Sequence, residues 1–442
     1  MKILYYHNVI QIRIKFNYKY NMVERLYTSE YRKLCMTMNI VDMLKELVSI
    51  RSEVYIRNGK IHRENYEEIA DKIAEIANKL DLLADIRRLR VNGESIPVVM
   101  VKMEGHGSTI ALVSHYDVVP AKGPWLVDGV EIDPYTPVVI DGKVYGRGSA
   151  DDKSAIVASL LALGELNEAK RPLKYNPTVV VVGDEEVGGV GVRRLLDEGF
   201  KWDKVLILDS SADFLSVGAS GVVHGWIKVK GRGGHAGYPH LCKNPVEDAC
   251  RLVTKLCEEY KAIRASKLSK FNSPPNSPFP KVWGRISFTI MKLGSKEAEK
   301  HNIIPSEAII GFDLRLIPEE DEAEAVNEFI DYVQHISLQL KVETDIEVLS
   351  LQRGWYTTDE EYIDEAKEAL RRAMKTTMDK EDVKIAAELG GNDGTFFFKK
   401  GMPTIAFGAI RPDNNIHTEG EFVYVRDIVL LKEFIKELLI LT

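Results

Sequence analysis

His115-Tyr116-Asp117, Asp151, Glu185-Glu186, Asp209 and His417 are ionisable segments spread over about 300 residues, and each sits just after an apolar run. Two histidines and several carboxylates suit a hydrolytic metal centre. Zinc takes imidazole nitrogen and carboxylate oxygen, and a catalytic site keeps one position open for water or substrate. Two zinc ions about 3.5–4 Å apart need a bridging carboxylate and a few terminal ligands, and together they polarise a carbonyl and make hydroxide at neutral pH. A lone histidine at a strand end is ordinarily structural, and an Asp-Glu-Glu triplet is ordinarily a solvated loop. Five such segments in one chain favour the metal reading.

The elements that must position these residues are legible as hydrophobic pattern. The runs 110–113, 179–182 and 205–208 are short and rich in β-branched residues, which marks strands buried in a parallel sheet. Open α/β sheets carry their sites beyond the carboxyl ends of such strands, and all three runs end there in an ionisable residue. Residues 40–48 read as the first helix. Ile69, Ile73, Ile76 and Leu80 recur at helical spacing, and residues 153–168 form a further helix directly after Asp151.

Near residue 221 the texture changes. Residues 222–229 read as strand, 245–263 as helix, 285–292 and 308–316 as strands, 319–338 as helix and 342–349 as strand. This βαββαβ order predicts a ferredoxin-like four-stranded sheet with two helices on one face, inserted into an α/β catalytic domain with a mixed, mainly parallel sheet. Residues 272–280, with four prolines, read as a stiff surface loop within the insert. Asp313 and Arg315 alternate with apolar neighbours and so share one strand face. His235 is flanked by glycines that let a tight loop present one imidazole.

Composition narrows the partners. A net charge of −7 from 59 basic and 66 acidic residues favours neither a nucleic acid nor a membrane surface. No apolar run approaches the roughly 20 residues of a membrane span. Cys35, Cys242, Cys250 and Cys257 lack metal-ligand spacing and read as reduced thiols of a cytoplasmic protein. Residues 1–35 are basic and rich in Tyr and Asn, without the apolar core of a secretory signal. Met36 and Met38 immediately precede the first helix, so an over-called start codon is the expectation.

The segments Ser114 to Pro120, Gly146 to Lys153, Gly183 to Gly189, Gly233 to Gly237, Gly390 to Phe397 and Asn415 to Glu419 resemble the co-catalytic di-zinc amidohydrolase and exopeptidase family. That family includes carboxypeptidase G, aminoacylase, acetylornithine deacetylase and succinyl-diaminopimelate desuccinylase. The resemblance covers about residues 39–442. It implies two zinc ions, replaceable by cobalt, with Asp151 bridging them, His115 and Asp209 completing one site, and Glu186 and His417 the other. Glu185 becomes the general base, moving a proton from the attacking water to the leaving amine. Asp117 becomes the carboxylate that orients His115. A cis peptide between Asp151 and Asp152 is also implied. His235 would stabilise the oxyanion, reaching a neighbouring subunit's site in dimeric members. Arg315 would grip a substrate carboxylate, with Asn302 a neighbouring contact and Gly391 on a substrate-facing loop.

The resemblance also implies the layout. Residues 1–38 are an N-terminal extension, 39–220 and 350–442 the catalytic domain, and 221–349 an inserted lid and dimerisation domain of a homodimer. The implied reaction is hydrolysis of the amide bond of a small N-acyl amino acid, of succinyl-diaminopimelate desuccinylase or acetylornithine deacetylase type. A di-zinc dipeptidase or carboxypeptidase is the second reading. An inactive binding protein on the same fold is the third, and its signature, a missing base or ligand, is not found. Desuccinylases and acetylornithine deacetylases usually carry glutamate where this chain has Asp209, whereas aminoacylases and di-zinc carboxypeptidases commonly carry aspartate.

Overall fold

The computed structural model describes residues 40–57, 59–293 and 300–441. The expected N-terminal extension, with Cys35, Met36 and Met38, lies outside the described residues. The three apolar runs are the parallel strands Thr109–His115, Asn176–Val182 and Lys204–Ile207. Their register sets Val182 opposite His115 and Ile207 opposite Val113, so their carboxyl ends align. With Thr404–Ala406 beside Lys204–Ile207, they form the parallel middle of a nine-stranded sheet. Antiparallel pairs border it, Glu94–Lys102 with Ala84–Val91 on one side and Leu215–Ala219 with Trp355–Tyr356 on the other. Ile385–Glu388 joins Leu215–Ala219 in parallel. Neighbours leave Thr109–His115 in both directions, which opens a crevice at the carboxyl ends.

Helices cover both faces, as a parallel sheet requires. One core joins Leu44, Ile69, Ile73, Leu160, Leu163, Leu370 and Phe434, from helices at 40–48, Tyr66–Lys79, Lys153–Glu168, Glu360–Met378 and Val425–Leu439. The opposite core gathers Val192, Leu195, Trp202, Trp355 and Phe397. Each fully buried aliphatic or aromatic side chain contributes about 1.5–3 kcal/mol of transfer free energy. Helix Lys153–Glu168 is buried on nearly every side, and it begins with a fully buried lysine. The Lys153 ammonium donates to the carbonyls of Leu47 and Ile50 at 3.0 and 2.8 Å, satisfying orphan groups at the end of the first helix. Burial pushes it down to about 7. Among the described residues, no helix is long and apolar enough to cross a membrane.

The insert is antiparallel, in the spatial order Arg285–Leu293, Glu307–Leu316, Gly221–Lys230, Glu343–Gln352. Pro245–Lys255 and Glu322–Leu340 pack on one face around Val223, Ile227, Leu252, Phe312, Phe329 and Val333. The helix expected over 245–263 is interrupted by a π turn, Leu256–Tyr260, before Lys261–Ser266. The wider turn keeps Leu256 and Tyr260 in the core while Arg264 reaches Glu320. The helix expected from residue 319 starts at Glu322, because Asp321 caps it by accepting from the amides of Ala323 and Glu324. Glu319 and Glu320 serve elsewhere, on Ser269 and on Arg264. The proline-rich segment ends the hairpin formed by Leu268–Asn272 and Lys281–Trp283, and Pro274 reaches the crevice.

Candidate metal centre

His115 closes its strand and is buried. Its Nε2 lies 2.9 Å from Oδ1 of Asp151 and 3.9 Å from Oδ2 of Asp209. The other oxygen of Asp151, Oδ2, lies 3.0 Å from Nε2 of His417, which is 3.1 Å from Oε1 of Glu186. Two three-residue groups result, His115 with Asp151 and Asp209, and Asp151 with Glu186 and His417. Within each group the ligand atoms lie within 4.8 Å of one another. The groups share Asp151, one oxygen facing each. Imidazole nitrogen with carboxylate oxygen is a donor set that fits two zinc-like divalent cations. Glu185 stands beside the groups and belongs to neither.

The strand ends are held by contacts far apart in sequence. Nδ1 of His115 is 3.0 Å from the Asp117 carbonyl and 3.5 Å from its carboxylate. The nearer carbonyl keeps a hydrogen on Nδ1 and leaves Nε2 to face the centre. The Asp117 carboxylate has a second task that the sequence reading lacks: it accepts from the amides of Glu185 and Glu186 at 3.3 and 3.1 Å. Asp184, at φ +69°, accepts from Nε and Nη2 of Arg63 at 2.9 and 2.6 Å and from the Tyr66 hydroxyl at 2.9 Å. The Asp151–Asp152 peptide is cis, as the resemblance implies.

Glu421 fastens the two histidine-bearing halves together. It is buried and accepts from Nη1 of Arg147 at 2.5 Å and from the amides of Gly148, Ala150 and Asp151 at 3.0–3.2 Å. The same Arg147 donates to the Thr418 carbonyl at 3.1 Å, beside His417. His417 itself lies in the left-handed region at φ +61°, a conformation that costs an L-residue about 1–2 kcal/mol. Arg63, Arg147, Asp184 and Glu421 were not singled out from sequence as site residues, because each acts through a partner remote along the chain. Arg147 and Asp184 lie inside the motif segments and Glu421 two residues beyond one, whereas nothing in the sequence marks Arg63.

The electrostatics fit bound cations. Hydrogen bonds to Asp151 and Glu186 push His417 up to about 10. Burial, reinforced by Asp151, pushes Asp209 up to about 8. Burial and then the nearby Asp393 raise Glu185 well above the usual carboxyl range, and burial pushes Asp393 up to about 7. Carboxylates in excess, in a low-dielectric crevice, protonate or recruit positive charge.

The insert's candidate residues fall at its two ends. Arg315 pairs across the sheet with Val222, at the end joined to the catalytic part, and donates to Asp313 at 2.7 and 2.8 Å. His235 follows the other end of that strand, on a short ribbon where Gly234–His235 pairs with Ile303–Ile304 and the Asn302 carbonyl accepts from Ala236 at 2.9 Å. His235 and Asn302 are thus together and exposed. The strand between them and Arg315 spans roughly 27 Å at about 3.4 Å per residue. No hydrogen bond joins His235 to the metal-ligand groups among the described residues. Gly391 lines a cavity of about 360 Å³ beside Asp209, with Phe214, Pro274, Glu388 and Ile416. A Cβ at Gly391 would meet the Ser220 carbonyl at 3.2 Å. Glu388, missed from sequence, accepts from the Ser210 hydroxyl at 2.7 Å next to Asp209.

Comparison with known proteins accords with this geometry. The chain is 28% identical over 432 residues to an uncharacterised metallohydrolase of Methanocaldococcus jannaschii, covering 90% of this chain and all of that one. It is 26% identical over 352 residues to a succinyl-diaminopimelate desuccinylase of Thioalkalivibrio sulfidiphilus, covering 76% and 84%. Its fold resembles that of an M20 family metallo-carboxypeptidase from Sulfolobus solfataricus, with a TM-score of 0.71 at 18% identity, covering 90% and 98%. Residues 111–440 match the model of peptidase family M20/M25/M40, and the chain belongs to that family of metal-dependent hydrolases.

Proposed function

We propose that this protein hydrolyses the amide bond of a small N-acyl amino acid, with succinyl-diaminopimelate or acetylornithine as the leading substrate type. The observation that carries the reading is Asp151, which turns one carboxylate oxygen to each of two ligand groups while Glu185 stands outside both. His115, Asp209, Glu186 and His417 would complete the two sites, for zinc or, in its place, cobalt. Bound cations supply Lewis acidity toward the scissile carbonyl and hydroxide at neutral pH.

Glu185 takes the proton of the attacking water on a carboxylate oxygen and returns it to the departing nitrogen. The C–N bond breaks, the acyl carbon gains OH and the amine gains H. Asp117 keeps the Glu185-Glu186 turn in place through its two amide contacts. Arg315 and Gly391 form substrate contacts on one chain, and His235, with Asn302 beside it on the same ribbon, donates to the developing oxyanion. His235 lies at the far end of the insert from Arg315, which supports its acting from the second subunit of a homodimer. In this reading residues 221–349 are the lid and dimerisation domain, residues 39–220 and 350–442 the catalytic domain, and the protein is cytoplasmic.

A desuccinylase among the relatives supports deacylation. Aspartate at position 209 fits an aminoacylase or a di-zinc carboxypeptidase alike, and the carboxypeptidase fold likeness supports peptide hydrolysis as the second reading. Steady-state kinetics of zinc-loaded protein on succinyl-diaminopimelate, acetylornithine, acetyl-amino acids and a dipeptide panel decides between them. Turnover of dipeptides alone would overturn the deacylase reading.

A further inference from the structure

Most arginines in the folded interior have an acidic partner. Arg63 pairs with Asp184, Arg147 with Glu421, Arg264 with Glu320 and Arg411 with Asp427. Arg285 differs. It opens the edge strand of the insert directly opposite Arg315, an arrangement in which like charges repel. Arg315 is satisfied by Asp313. Arg285 donates only to uncharged oxygens: the Trp283 carbonyl at 2.8 Å, the Leu389 carbonyl at 2.7 Å and the Ser220 hydroxyl at 3.4 Å. Its guanidinium also stacks 5.0 Å from the Trp283 ring centre. No ion pair joins it to a carboxylate among the described residues, and Asp313, the acid that attracts it from a distance, is engaged by Arg315 and His224. Burial, with Arg315 adding to it, pushes Arg285 down to about 10, so it stays charged at neutral pH.

Leaving a half-buried charge uncompensated is costly, and a guanidinium has five N–H donors in a planar fork suited to carboxylate. The Leu389 carbonyl that anchors Arg285 belongs to the Leu389 to Asn392 turn, which lines the cavity containing Asp209. The charge is therefore held one hydrogen bond behind the wall of that cavity, where insert and catalytic sheet meet.

We propose that Arg285 determines specificity by binding a carboxylate at the far end of the substrate's acyl group, so that the preferred substrate has an acyl chain ending in an acid. This deepens, and rests on, the amidohydrolase reading. The test compares N-succinyl and N-acetyl derivatives of one amino acid as substrates of the metal-loaded enzyme, wild type against Arg285→Met and Arg285→Lys. Charge-assisted hydrogen bonds of this kind correspond to about 10–100-fold. The wild type should prefer the succinyl compound, Arg285→Met should shrink that preference by about this factor, chiefly through KM, and Arg285→Lys should lose part of it. Equal losses on both substrates, or an unchanged preference, would overturn the proposal.

Two further measurements keep it decidable. Arg285→Met removes a repulsion with Arg315 but also the donors to the Trp283 and Leu389 carbonyls, so its melting temperature is measured beside Arg285→Lys, and a loss of succinyl preference in a variant that melts cooperatively supports the proposal. If wild type cleaves neither acyl derivative, the amidohydrolase reading has failed. Calorimetric binding of succinate against acetate to wild type and Arg285→Met then still tests Arg285, and equal affinities would overturn it.

Discussion

At the carboxyl ends of the parallel strands Asp151, Asp209, Glu185, Glu186 and Asp393 crowd around two imidazoles, whereas on the insert Asp313 meets Arg315 and His224, and Glu320 meets Arg264 and Lys267. In the first region the two imidazoles answer Asp151, while burial raises Asp209, Glu185 and Asp393 above the usual carboxyl range. The second answers its acids from within the chain. Charge left over at a crevice favours a ligand of opposite sign.

The largest effect should come from breaking the unbalanced region. Chelation should abolish activity and lower the melting temperature, since cations that bind only the folded state stabilise it by mass action. Elemental analysis should find about two divalent ions per chain in active protein, as a co-catalytic pair requires. Asp151→Ala should lose both ions together, because one oxygen serves each group. Full activity after verified metal removal would end the metal reading.

Next in size is the division between adjacent glutamates. Glu185→Gln should lower kcat by roughly 10²–10⁴-fold with metal retained. Glu186→Ala should instead lose metal from the site it shares with His417. Similar metal content in the two variants would contradict the separation of base from ligand.

The third test asks whether the insert reaches the centre. Loss of one oxyanion donor costs on the order of 10²–10³ in kcat, so His235→Ala should show that loss with both metals bound. Its exposed ribbon buries little, and stability should hardly change. If His235 acts from a second subunit, mixing His235→Ala with Glu185→Ala chains should restore activity, because some mixed dimers contain one intact site. No recovery, with subunit exchange verified, would place His235 in its own chain's site or outside catalysis.

The same contrast explains what could be read in advance. Helix Lys153–Glu168 matched its expected bounds, and the three buried strands were legible because hydrophobic runs flanked by charge leave few alternatives. The insert's order was legible because its periods switch cleanly between 2 and 3.6. Boundaries failed where side chains compete locally, as when Asp321 moves the start of a helix to Glu322. The ligand types were visible in the motifs, but the machinery behind them was not. Glu421 receives amides some 270 positions away, and Arg63 reaches Asp184 across 121. Such contacts are properties of the folded chain, and no local pattern encodes them. Arg285 was likewise invisible, since only the fold shows that a surface-looking arginine faces Arg315 and has no acid.

The smallest effect tests the balanced region. Burial alone would raise the Asp313 carboxyl, but hydrogen bonds from His224 and Arg315 outweigh it and hold the group down at about 2, against an ordinary 3.8. A carboxyl depressed on folding stabilises the folded state fully above its unfolded value and loses that contribution as pH falls through its folded value. The carboxyl is partly open to solvent, and screening reduces its contribution to about 1 kcal/mol or less. Asp313→Asn should therefore lower stability by up to that amount near neutral pH, with Arg315 and Arg285 left facing each other. Denaturant midpoints should show a constant gap between wild type and variant down to about pH 5, shrinking as pH falls from about 4 toward 2. A gap that stays flat to the acid end would mean that Asp313 acts through shape and packing, and the insert's charges would then be incidental rather than balanced.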